Sequence, residues 1–170
     1  MIYFFDTSAL QHRYLDGPKA RGVRRIISDS RNQCYIAELS ILEISSALAL
    51  HCRKNSLSLE HYAKLDQRFW KDVFNRRVLI YPVAKREYLR ARDLLRYAGV
   101  DKKRNISSAD ALIAASCLEF ALQSKQSVAF CLEDWGLFSV IRDISAYSKV
   151  LRFHYIGVDK SKQRAGQPGK

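Results

Sequence analysis

Five short runs of the chain, at 2–5, 34–36, 78–83, 128–132 and 151–156, are dense in β-branched and aromatic residues and have the length of strands. Between them the apolar residues recur every three to four positions, at roughly 18–31, 38–54, 58–76, 84–98 and 107–124, with a shorter stretch near 135–144. That spacing predicts helices. Strands that are apolar throughout and separated by helices predict a parallel sheet covered on both faces. With right-handed crossovers this is a three-layer α/β fold, a central five-stranded parallel sheet flanked by helices. No internal repeat and no long linker divides the chain, so residues 1–158 read as one domain. Residues 159–170 are polar and basic with Gly and Pro, the composition of a disordered tail.

Composition narrows the class without changing the fold. Of 170 residues 48% are hydrophobic, and only 7 are Gly and 3 Pro, which supports a packed core and excludes a chain disordered over most of its length. The most apolar stretch, around 109–122, is interrupted by Asp110 and Glu119, so no membrane span is expected. The opening residues lack the basic and extended apolar regions of a signal peptide. A cytoplasmic protein is therefore expected. Cys34, Cys52, Cys117 and Cys131 form no paired motif and read as reduced core residues. His12, His51, His61 and His154 show no metal-ligand spacing and read as surface or structural residues.

Charge says more about partners. The chain carries 29 Lys and Arg against 17 Asp and Glu, a net charge of +12. A polyanion is the common physiological partner for such an excess, and nucleic acid is favoured over a membrane surface, since no segment joins a basic face to an exposed apolar one. The cations fall into two groups. One comprises Arg13, Lys19, Arg21, Arg24, Arg25 and Arg31. The other comprises Lys85, Arg86, Arg90, Arg92, Arg96, Lys102, Lys103 and Arg104, where eight cations face only Glu87, Asp93 and Asp101. Solvated helix faces would also produce such runs.

Four acids interrupt this basic background. Asp6 directly follows the first strand, at the edge where open α/β sheets place their ligand sites, although Asp-Thr-Ser is also a helix-capping composition. Glu43 sits in a helix between Leu42 and Ile44, among residues that favour burial, so a neighbouring cation is expected beside it unless it faces solvent. Asp110 lies three residues after Ser107, a capping-box spacing, at the mouth of a helix that is apolar nearly all round. Asp134 ends the strand at 128–132, where a turn or cap acid is also common. If the four converge on one rim, their repulsion calls for protons or cations. Oxygen-only ligands select a hard ion, Mg²⁺ or Mn²⁺, singly or as a pair, which can activate a water against a phosphodiester.

The strand into Asp6-Thr-Ser-Ala-Leu, the helical Glu43 followed by Ser46-Ala-Leu, the block Ser-Ala-Asp110-Ala-Leu-Ile-Ala-Ala and the late strand into Asp134 resemble the ordered motifs of PIN-domain proteins. The resemblance spans about residues 1–156 and is nearest to the VapC-like toxins of bacterial and archaeal toxin–antitoxin pairs. It implies a PIN fold and a metal-dependent endoribonuclease with Asp6, Glu43, Asp110 and Asp134 as catalytic, metal-binding acids. It also implies Ser8 beside the site, an RNA substrate, a homodimer and a cognate antitoxin. The sequence departs from the pattern at Leu132, where a hydroxyl residue is common, and Glu133 adjoins Asp134. Asp134 is favoured as the acid facing the metal because Leu137 follows it as in the family motif. The segment 55–77 and the tail lengthen the chain relative to many members. The alternatives are a PIN-fold RNA-binding or assembly module without catalysis, and a housekeeping RNA-processing nuclease. A phosphatase with Asp6 as nucleophile is disfavoured, since Ser8 stands where a second Asp is required.

Overall fold

The computed structural model describes residues 1–156, so the tail expected at 159–170 lies outside the described residues. Strand β1 (Ile2–Phe5) runs into the short helix α1 (Thr7–Leu10), a 3-10 turn over Gln11–Arg13 and α2 (Ala20–Ser28). β2 (Gln33–Ala37) is followed by α3 (Ser40–Lys54) and α4 (Leu59–Phe74), and β3 (Leu79–Tyr81) by α5 (Lys85–Arg96), a π-turn over Tyr97–Asp101 and α6 (Ser108–Ser124). β4 (Val128–Leu132), α7 (Trp135–Arg142), α8 (Ser145–Ser148) and β5 (Leu151–Tyr155) complete the described chain. All strand pairs are parallel, in the order β3-β2-β1-β4-β5.

Alternation along the strands divides the core into two slabs. Phe4 and Phe130 point to one face, where α5, α6 and α7 bury Leu94, Ile113, Leu118 and Val140. Phe5 and Cys131 point to the other, against Leu10, Ile27, Leu48 and Phe69 from α1 to α4. The three-layer α/β expectation holds, with all five strands where the pattern puts them. Helix α6 explains its missing polar stripe, because Ala111 to Glu119 are all buried between the sheet and its neighbours. The four cysteines are free and buried. Among the described residues no helix is long and apolar enough to cross a membrane.

Two elements are shorter than their patterns. β3 is an edge strand of three residues rather than six. Val78 is taken by a turn in which its N–H donates to the Asp72 carbonyl at 3.2 Å, and Pro82 has no N–H to extend the ladder. The helical pattern at 84–98 gives way at Tyr97 to the π-turn.

The sheet order places the site. From β1 the chain moves outward through β2 and β3, then returns to the other side of β1 for β4 and β5. The carboxyl ends of β1 and β4 therefore flank the point where the winding reverses, which is where open parallel sheets leave a crevice. Asp6 and the pair Glu133 and Asp134 follow directly from those two strand ends.

Candidate active site

Asp6 is held by three elements at once. Its N–H donates to the Cys131 carbonyl at 2.8 Å, continuing the β1–β4 ladder. Its carboxylate caps α1, accepting from the Ser8 N–H at 3.2 Å, and its own carbonyl accepts from Ala9 and Leu10. The capping expected of Asp-Thr-Ser is thus present, and it fixes Asp6 instead of competing with a role in the site. The Ser8 hydroxyl accepts the Glu133 N–H at 3.0 Å, which turns its proton toward Asp6 Oδ2. Asp6 is 1% exposed, and among the described residues its Oδ1 is buried with no hydrogen-bond donor.

That environment disfavours the charge. Burial pushes the Asp6 carboxyl up to about 7, the Ser8 bonds oppose the rise, and Asp110 and Glu43 add to it. Glu43 projects from α3 toward the same place. Its Oε2 accepts the Thr7 hydroxyl at 2.8 Å, and burial, with a contribution from Asp110, raises its pKa against that bond. Among the described residues no basic side chain pairs with Glu43; its partner is the neutral Thr7 hydroxyl, which α1 brings to it. Asp110 is fixed by the first turn of α6, where the Asp110 N–H donates to Ser107 Oγ at 3.0 Å and Ser107 N–H donates to Asp110 Oδ2 at 3.3 Å. Glu43 from α3 and Asp110 from α6 are therefore electrostatically coupled to the buried carboxylate that follows β1.

The fourth position is divided between two residues. Asp134 is exposed and caps α7, its Oδ1 accepting the Leu137 N–H at 2.7 Å. A β-carbon at Gly136 would stand 3.0 Å from that oxygen, so a side chain there would crowd the cap. Glu133 turns the other way. It meets His12 Nε2 at 2.5 Å and is bonded by Lys19 Nζ, and these partners outweigh burial and hold its carboxyl below the usual range. His12 and Lys19 lie 121 and 114 residues from Glu133 in sequence, so neither pairing had a local signal.

The group fits a hard cation by its chemistry. All side-chain donors at Asp6, Glu43 and Asp110 are carboxylate oxygens, and the orphaned Asp6 Oδ1 lacks the proton donor or cation that a buried carboxylate oxygen requires. Among the described residues no three His, Cys, Asp or Glu form a preassembled metal-binding group.

The fold is shared with solved structures of low sequence identity. FitAcB from Neisseria gonorrhoeae matches at 22% identity with a TM-score of 0.59, over 91% of this chain and 97% of that one. VapBC2 from Rickettsia felis, bound to a DNA fragment from their promoter, matches at 16% and 0.58 over 91% and 99%. VapBC-1 from nontypeable Haemophilus influenzae matches at 16% and 0.56 over 92% and 98%. The search of curated proteins gave no match. A family model described as the PIN domain matches residues 3–124, a span that includes Asp6, Glu43 and Asp110, and the chain belongs to that family.

Proposed function

We propose that the protein is a metal-dependent endoribonuclease and the toxin of a toxin–antitoxin pair. The observation that carries the reading is Asp6, a buried carboxylate with an unpartnered oxygen and two further acids raising its pKa, at the sheet's winding reversal in a PIN domain. Asp6, Glu43 and Asp110 would hold Mg²⁺ or Mn²⁺, with Asp134 at the outer edge. When bound, the ion supplies charge stabilisation at a phosphodiester and an acidified water.

The chain's own residues do the rest. Ser8 fixes Asp6, Thr7 fixes Glu43, and the α6 cap fixes Asp110, so the acids keep their orientation without a neighbouring lysine. Glu133 ties Lys19 and His12 into one cluster directly before Asp134, and basic residues of the two charged groups hold the RNA backbone. The similarity to the FitAcB and VapBC2 structures supports an antitoxin as partner. A homodimer is also proposed, and the exposed Leu42 and Tyr88, which line one shallow groove, offer it an apolar surface.

Titration calorimetry with Mn²⁺ tests the site apart from catalysis. The wild type should bind and Asp6→Asn should not; equal binding by both would exclude these acids as the metal site and favour a non-catalytic module. The toxin assignment has its own test. Expression in a bacterial host should arrest growth, relieved by the neighbouring upstream reading frame, and absence of arrest would count against a toxin while leaving a processing nuclease.

A further inference from the structure

A polar cavity of about 400 Å³ lies away from Asp6, Glu43 and Asp110. Arg13 in its wall donates to Ser28 Oγ at 3.1 Å, at the end of α2, and to Asp72 near the end of α4. These helices lead into β2 and β3, and Arg77 lies two residues before β3. The cavity therefore faces the amino ends of the strands, whereas Asp6 follows a carboxyl end.

Its charge is strongly unbalanced. Arg13, Arg24, Arg68, Lys71 and Arg77 line it with Asp72 as the single acid, a net charge of +4. Asp72 is 5% exposed and engaged by Arg13 through Nε at 2.8 Å and Nη2 at 3.2 Å, with Arg77 at 4.0 Å, so it cannot also neutralise the others. Among the described residues Arg24 has its ion pair with Asp16, which is 93% exposed and screened by solvent, and donates to the Arg13 and Leu15 carbonyls at 3.2 and 3.5 Å. Arg68 donates to the Tyr14 carbonyl at 3.3 Å, and Lys71 is exposed without an ion-pair partner among the described residues. The wall also holds the Tyr14 hydroxyl, which is buried beside Asp72 and, among the described residues, makes no hydrogen bond of good geometry. Burial raises its pKa, so it stays a neutral donor.

We infer that this cavity is a phosphate-binding site that grips the RNA backbone toward the amino ends of the strands, at the end opposite the acids. Guanidinium forks and an ammonium around a common space suit phosphate oxygens. A linear polyanion is favoured over a compact one because exposed Arg76 and Arg152 continue the positive field along the strands' amino ends. The inference rests on the reading of the protein as acting on RNA, and it assigns work to Arg68, Lys71 and Arg77, which lie outside both cation groups recognised in the sequence.

The test is the salt dependence of binding to a labelled single-stranded RNA of mixed sequence, measured in EDTA. The double variant Arg68→Gln/Lys71→Gln leaves the buried Arg13–Asp72 pair intact. It should bind more weakly and flatten the slope of log affinity against log salt by about 1.4, since each lost phosphate contact to a single strand is worth about 0.7. The charge-matched Arg53→Gln/Lys54→Gln should leave the slope near wild type. An unchanged slope in the first variant, or an equal loss in the second, overturns the site. Retained RNA binding with lost binding of inorganic tripolyphosphate or of an acidic peptide overturns RNA as its ligand. Because EDTA suppresses cleavage, a slope that falls in a protein shown separately to lack nuclease activity would uphold the site and sink the nuclease reading. An unchanged slope in an active nuclease would do the reverse.

Discussion

Asp6 owes its properties to neighbours that sequence only partly announces. Its carboxyl is raised from 3.8 to about 7 chiefly by burial, so the proton it holds stabilises the metal-free fold fully below 3.8, and that contribution is lost as the pH climbs through about 7. Asp6→Asn has no such dependence, while its side-chain oxygen can still accept from Ser8. In EDTA the wild type should therefore lose roughly 2.6 kcal/mol relative to Asp6→Asn between about pH 5 and about pH 8. Thermal melts of both proteins across that range check it, and a difference that stays flat contradicts the burial assigned to Asp6. Glu133 was harder to read. Standing beside Asp134, it is distinguished by His12 and Lys19, which arrive from the segment after α1 through the fold and not through any motif. The Thr7 contact to Glu43 was hidden for a related reason: a pattern shows that a carboxylate is enclosed, but not that a threonine from another element will meet it.

At the level of elements, caps and site coincide. Asp6, Asp110 and Asp134 each occupy the first turn or cap of a helix, so the local signals that argued for a structural role were correct and do not compete with the proposed chemistry. Substitutions can separate the two. Asp134→Asn keeps a good cap and should keep its melting temperature while losing cleavage, whereas Asp134→Ala should lose cleavage and also about 1 kcal/mol of stability. Measured together, melting and RNA cleavage decide it: an Asn variant with full activity leaves Asp134 as a cap alone. The strands and long helices were legible because each has a period and a buried face. Less was legible where hydrogen bonding decides the boundary, as at Val78 and Pro82 around β3 or at the π-turn after Arg96. The four-residue helices α1 and α8 are too short to show a period.

Over the whole molecule the net charge of +12 resolves into separate fields. Several of the cations counted from sequence are neutralised locally: Arg13 by Asp72, Lys19 by Glu133, Arg31 by Asp29 and Arg90 by Glu119. What remains includes the cavity around Arg68 and Lys71, while three coupled acids stand at the carboxyl ends of the strands. In the proposed reading the basic surface would gather RNA, and the acids would hold a divalent ion at the phosphodiester. The most direct measurement is cleavage of RNA by purified wild-type and Asp6→Asn protein, each with Mg²⁺ or Mn²⁺ and with EDTA. The expected result is cleavage only by the wild type with metal, with Asp6→Asn folded but inactive. Cleavage by Asp6→Asn at the wild-type rate, with contaminating nuclease excluded, would contradict it.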